Sequence, residues 1–173
     1  MIVLETQRLL LRQFKDEDII PLHGILSDKE TMKFYPAPFS FQQTKDWINR
    51  NQDRYKNDGY GLWAVCLKDT NEFIGDCGLV KQKVNDNFEV EIGYHINKKY
   101  WSMGFASETA KACKEYGFNK LGLNKQISII DPNNVPSIRV AEKIGFFKEK
   151  ELFIFDKVHY IYSEVKEKIE KAN

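Results

Sequence analysis

The chain has 173 residues, 42% hydrophobic and 13% aromatic, which suits one domain of ordinary size with a real core. Twenty-six basic residues stand against 25 acidic ones for a net charge of +1, which argues against a general nucleic-acid binder but not against a local basic groove. The first residues, MIVLETQRLLLRQF, lack the apolar core and cleavage site of a signal peptide, and no apolar run approaches the ~18 residues that span a membrane.

RLLLRQF (8–14) is short and apolar and predicts a strand. DEDIIPLHGILS (16–27) has acids at its front and predicts a helix, with Pro21 as a point of division. DKETMKFY (28–35) reads as a further short helix, and KFYPAPF (33–39), broken by Pro36 and Pro38, as a loop. Ser40 and Gln43 have capping-box spacing and predict a helix over 41–56. After the DGYG turn, 62–68 and 72–82 predict an antiparallel pair, and the alternating FEVEIGYHI (88–96) a third strand. A helix over 104–118, a strand over 125–130 and a helix over 134–144, stopped by Gly145, follow. A closing hairpin occupies 146–155 and 157–165, and the tail SEVKEKIEKAN reads as a solvated helix or a frayed end. The order predicts an α/β (α+β) fold: a mixed, largely antiparallel sheet with helices on its faces. One domain over 1–173, with its core at about 8–165, is expected. Cys66, Cys77 and Cys113 show no CxxC spacing and cannot all pair within the chain; they read as reduced core residues of a cytoplasmic protein.

Two segments carry the chemistry. In YWSMGFASETA (100–110) bulky aromatics give way to small residues around Gly104 where a helix starts. The first amides of a helix lack intrahelical partners and its dipole is positive there, so a stripped helix N-terminus suits an anion such as phosphate. A tight strand-to-helix turn would also account for the stretch. Ala106, Ala110, Cys113 and Gly117 recur at spacings of four, three and four, a small face that lets the helix lie close to the sheet. In DPNNVPSIRVAEKIGF (131–146), Asn134 suits an N-cap and Pro136 a first turn, with the Ser137 hydroxyl beside them. A helix start with a glycine stop needs no ligand to explain it.

Together, TQRLLLRQF, FIGDCGLV, VEIGYHINKKYWSMGFASETA and NNVPSIRVAEKIGF, in this order, resemble the GCN5-related N-acetyltransferase (GNAT) superfamily. The likeness runs over nearly the whole chain and is closest to the branch of ribosomal-protein N-terminal acetyltransferases. It implies acetyl-CoA as cofactor. It implies that amides of Met103, Gly104, Phe105, Ala106 and Ser107 hold the pyrophosphate, with Trp101 where the family has glutamine or arginine. It further implies that the backbone of His95 and Ile96 pairs with the pantetheine arm and that Asn134 contacts the cofactor. An amide near Tyr94 to Ile96 would polarise the thioester carbonyl.

Direct attack by an amine needs a base, and the resemblance puts Glu91 in that role. Glu89 shares its strand face, so both carboxylates would equally suit plain exposure. The tyrosine acid of many superfamily members is absent, since Ala141 stands in its place. Ser137 is the candidate that stabilises the departing thiolate, with Tyr160 and Tyr162 as substitutes. Phe34, Tyr35 and Phe39 are candidates for an acceptor pocket. The acceptor stays open among a protein N-terminus, an amino sugar, a polyamine and an antibiotic, as does a homodimer. A CoA-binding module without catalysis is the alternative, and Ala141 supports it. A nucleotide-binding protein lacks GxxxxGK[ST] and GxGxxG. Metal catalysis is disfavoured because His23, His95 and His159 show no ligand spacing.

Overall fold

The structure, a computed structural model, describes residues 1–167. Eight strands form one sheet: β1 (Ile2–Glu5), β2 (Leu9–Arg12), β3 (Leu62–Leu67), β4 (Phe73–Val84), β5 (Asn87–Ile96), β6 (Lys125–Ile130), β7 (Phe147–Ile154) and β8 (Lys157–Val165), in spatial order β1-β2-β3-β4-β5-β6-β8-β7. Every pairing is antiparallel except β5 with β6, which is parallel and in register at Glu91 and Ile127. β5 runs on to Ile96 beyond that single pair, so the sheet opens between these two strands.

The alternation of β3 sets the two faces. Leu62 and Ala64 join a core with α1 (Ile19–Leu26) and α2 (Phe41–Asn57), while Trp63 and Val65 join the core beneath α3 (Phe105–Asn119) and α4 (Val135–Lys143). β5 obeys the same rule. Ile92 and Ile96 lie in the α3–α4 core with Tyr94 packed against it, so Glu91, Gly93 and His95 face α1 and α2.

The expected helix starts hold where a cap was readable. The Ser40–Gln43 capping box forms in both directions, with Ser40 N donating to Gln43 Oε1 at 2.8 Å and Gln43 N to Ser40 Oγ at 3.2 Å. Pro21 does not divide its helix. It sits in the first turn of α1, where its missing N–H costs nothing, and a 3-10 turn over Asp16–Asp18 precedes it. Residues 28–35 are not a helix but a chain of turns. Asp28 Oδ2 takes both Thr31 N and Thr31 Oγ1 at 2.9 Å, a local competition that closes one turn and stops. β1 was not foreseen; it is a four-residue edge strand on β2. Ser163–Val165 of the charged tail belong to β8, and residues 168–173 lie outside the described residues.

The small face of α3 packs as expected. Ala110, Cys113 and Gly117 are buried and Ala106 is half-buried. A Cβ on Gly117 would stand 2.7 Å from the buried Gln126 side chain, so glycine there admits β6. All three cysteines are free and buried.

Candidate active site

The opening between β5 and β6 has chemistry on both faces. On the α1–α2 side, Glu91 accepts a hydrogen bond from Gln82 Nε2 at 2.9 Å. Burial pushes its carboxyl up to about 7, against the opposing pull of Gln82, His95 and Arg54. Glu89, two residues away, is spent differently: it pairs with Lys125 Nζ at 3.3 Å, which also holds Glu149 at 2.8 Å. The shared-face ambiguity therefore resolves. Glu89 belongs to a surface ion network, and Glu91 is a carboxyl poised near neutrality beside the opening.

On the α3–α4 side, the Tyr94 hydroxyl donates to Ser137 Oγ at 3.0 Å. Ser137 keeps its own proton for a further partner. Burial raises the Tyr94 phenol to about 12, and the bond to Ser137 opposes that shift. Ser137 is placed by the α4 cap, where Ser137 N donates to Asn134 Oδ1 at 3.3 Å. The Asn134 oxygen spends one lone pair on this cap, and its second lone pair and NH2 group are left for further contacts. Ala141 is on the inner face of α4, 2% exposed. Tyr162 lies in the core, and Lys148 Nζ sits 3.6 Å above the Tyr160 ring. Among the described residues neither of these two hydroxyls hydrogen-bonds Tyr94 or Ser137.

The α3 N-terminus has the features of an anion cradle. Gly104 is its N-cap, with φ 81°, and no side chain caps the helix. Ser102 also has a left-handed backbone at φ 62°, so the loop turns tightly. The side of Gly104 that a Cβ would occupy faces Arg8, whose Nη2 would lie 3.4 Å away. Arg8 was not foreseen. Its guanidinium lies 4.2 Å from the Phe105 ring centre, bonds Met103 O at 3.0 Å and pairs with Glu108 at 2.7 Å, bringing a cation to the helix mouth. Met103 and Gly104 are exposed there, Ala106 and Ser107 half-buried, and Phe105 buried.

The backbone at the end of β5 departs from expectation at His95. Its amide donates to Asp76 Oδ1 of β4 at 3.0 Å and has no freedom to pair with an incoming arm. Neighbouring residues of a strand direct their amides to opposite edges, so the amides of Tyr94 and Ile96 face the opening instead. The Ile96 carbonyl is held by Trp101 Nε1 at 2.7 Å. Trp101 therefore ties the end of β5 to the cradle.

The His95 side chain lies in a network that sequence reasoning missed. Nδ1 is 2.9 Å from Asp76 Oδ1, Nε2 is 2.7 Å from the Tyr35 hydroxyl, and Trp47 Nε1 donates to Asp76 Oδ2 at 3.0 Å. Of the other candidate wall residues, Phe39 packs edge-on against Trp47 and Phe34 carries Lys33 over its ring. His23 and His159 are spent elsewhere, on Thr44 Oγ1 and the Lys157 carbonyl.

Comparison with known proteins agrees with this geometry. Residues 8–147 match the family model described as an acetyltransferase (GNAT) domain. The chain is 40% identical over 160 residues to the uncharacterized protein YkkB of Bacillus subtilis (strain 168), covering 92% of this chain and 93% of that one. It is also similar to the crystal structure of a GNAT-family acetyltransferase from Bacillus anthracis, with a TM-score of 0.80, 31% identity, and 95% and 98% of the two chains covered. At 16% identity the fold alone extends to RimL, a ribosomal L7/L12 alpha-N-protein acetyltransferase solved with coenzyme A, with a TM-score of 0.76 and 95% and 98% covered. An uncapped glycine-led helix N-terminus and a parted parallel strand pair, over a chain that matches in this way, have one reading: the protein belongs to the GNAT acetyltransferase family, whose members transfer acetyl from acetyl-CoA.

Proposed function

We propose that the chain binds acetyl-CoA across the opening between β5 and β6 and acetylates a primary amine that arrives from the α1–α2 side. The observation that carries this reading is the division of labour across the opening. Glu91 stands on one face, and the Tyr94–Ser137 pair on the other.

The residues fit the cofactor. The α3 amides at Gly104 to Ser107, with Arg8 beside them, would hold the pyrophosphate, and the φ of 81° at Gly104 that opens this turn favours glycine. The amides of Tyr94 and Ile96 would meet the pantetheine arm, and one of them would polarise the carbonyl. Acetyl-CoA supplies an activated acyl group as its thioester. Glu91 takes a proton from the amine, directly or through water; at about 7 its carboxyl is matched to that task. Ser137 donates its hydroxyl proton toward the leaving sulfur, and the Tyr94 phenol behind it replaces that proton. Ala141 thus does not imply a dead site, because Tyr94 reaches the same helix from the strand.

The acceptor is an amine of a small molecule or of a protein N-terminus. One catalytic domain over the whole chain suits the single sheet, and three free, buried cysteines suit a reducing cytoplasm. Among the described residues no helix is long and apolar enough to cross a membrane.

Calorimetric titration with acetyl-CoA, with ATP as control, tests the reading. Micromolar binding is expected in the wild type, together with its loss in Gly104→Glu, which puts a negative charge into the cradle. Wild-type protein that ignores acetyl-CoA would sink the proposal.

A further inference from the structure

Asp76, His95 and Tyr35 form a continuous hydrogen-bonded chain from the interior of the sheet to the acceptor side. Asp76 is 0% exposed, and among the described residues no lysine or arginine pairs with it. Its two oxygens accept from His95 N and Trp47 Nε1, and Oδ1 also lies within hydrogen-bond distance of His95 Nδ1. An ionised Asp76 can only accept, and with it the imidazole proton lies on Nδ1. Nε2 is then an acceptor, so the Tyr35 hydroxyl donates to it. The lone pairs of the Tyr35 oxygen are left for another donor.

Tyr35 stands where that donor would arrive. It belongs to the loop over the α1–α2 side, the face that also carries Glu91; burial first, and then the Glu91 and Asp76 charges, raise its phenol above the ordinary range, so it stays protonated and can act only by passing a proton on. Tyr35 is 41% exposed although its hydroxyl turns inward onto His95. The loop is fastened at both ends: Lys98 Nζ holds Asp28 at 2.9 Å, and Lys157 Nζ holds the Phe34 carbonyl at 2.9 Å. A buried, uncompensated carboxylate is a costly way to pack a sheet. Holding one imidazole in one tautomer, with its far nitrogen ready for a proton, is what such a group does in hydrolytic triads.

We propose that Tyr35 contacts the acceptor nitrogen and removes its first proton, with His95 and Asp76 as positioning residues behind it. This rests on the acetyltransferase reading above and gives the second proton of the reaction a place to go. A primary amine with a pKa of about 8–10 arrives as ammonium at neutral pH and must shed two protons to become an amide. In the first step the nitrogen gives H⁺ to Tyr35 Oη as the tyrosine proton moves to His95 Nε2, leaving an imidazolium beside the Asp76 carboxylate. In the second, the nitrogen–carbon bond forms, the carbon–sulfur bond breaks, Glu91 takes the remaining proton and the thiolate is protonated through Ser137. One proton is released to solvent and one restores the Tyr94–Ser137 pair.

The test uses a primary amine that the wild type acetylates, beside its β,β,β-trifluorinated analogue, which has a similar shape but is largely unprotonated at neutral pH. Tyr35→Phe is expected to lower kcat/KM about a hundredfold on the parent amine and within about threefold on the analogue, with acetyl-CoA binding unchanged. His95→Gln should behave alike, and the double variant should be no worse than either. Equal losses on both amines, or a Tyr35→Phe enzyme as fast as wild type, would overturn the relay and leave the acetyltransferase reading standing. A wild type that binds acetyl-CoA but acetylates no amine would remove both. Independently of turnover, ¹⁵N NMR of the acetyl-CoA-bound protein should show His95 with its proton on Nδ1 and an Nε2 signal that moves in Tyr35→Phe. The opposite tautomer would refute the proposal.

Discussion

Glu91→Gln is expected to damage catalysis and stabilise the fold in the same pH range. The Glu91 carboxyl is pushed from 4.5 up to about 7 because burial disfavours its charge. The unfolded chain gives up this proton near 4.5 and the folded protein only near 7. The stabilising contribution is therefore complete below 4.5 and is lost as pH rises through 7. Each tenfold change in proton affinity is worth about 1.4 kcal/mol, so the ceiling is about 3 kcal/mol. Screening at a half-buried carboxyl leaves ~1–2 kcal/mol. Glutamine does not titrate, and its carbonyl keeps the bond from Gln82. Urea unfolding of both proteins should give curves that nearly coincide at pH 4.5 and separate by ~1–2 kcal/mol in favour of Glu91→Gln at pH 8.5. Over the same interval wild-type kcat/KM should rise to a plateau above about 7, and the variant should lose that limb with ~10²–10⁴ of the rate. A stability gap that stays constant with pH would refute the burial argument, and an unchanged pH–rate profile would remove Glu91 from the chemistry.

Two further outcomes are expected. Tyr94→Phe and Ser137→Ala should each slow acetyl transfer by ~10–100-fold with acetyl-CoA affinity retained, and together cost little more than either alone, because the two hydroxyls act in series; effects that multiply would place them on separate paths. Gly75→Ala should lower the unfolding free energy by about 1–3 kcal/mol or more, read as a lower urea midpoint, since its Cβ would stand 2.0 Å from the His95 carbonyl oxygen; an unshifted midpoint would contradict the close approach of β4 to β5.

Most of the fold was legible wherever one local signal sufficed. The capping box at Ser40, the alternation of 88–96 and the small face of α3 each depend on residues within a few positions of one another. Failures came where side chains competed with the backbone or where an element was too short to have a pattern. Asp28 and Thr31 closed a turn inside what read as a helix, and β1 has only four residues. The site was legible in the same measure. Gly104, Asn134 and Ser137 announce themselves by helix-start chemistry. Tyr94 was readable one step further on, because strand alternation puts it across the sheet from Glu91. Arg8 was not readable, since only the docking of the β1–β2 turn on Glu108 of α3 brings it to the cradle.

The Asp76–His95–Tyr35 chain shows why the remainder stayed hidden. Asp76 and His95 are 19 positions apart and Tyr35 and His95 are 60 apart. Their meeting depends on the β4–β5 register, in which Asp76 sits opposite His95. A slip of one residue would turn every side chain of β5 over. It would send His95 to the α3–α4 face and Tyr94 to the α1–α2 face, exchanging the surroundings of the two side chains. The register is fixed along the whole strand pair, by ten paired positions from Gly75–Ile96 to Val84–Asn87 and by Gly75, where a Cβ would stand 2.0 Å from the His95 carbonyl oxygen. The apolar alternation that looked like ordinary core patterning is therefore what assigns each polar residue of β5 its face of the sheet, and with it its place in the proposed reaction.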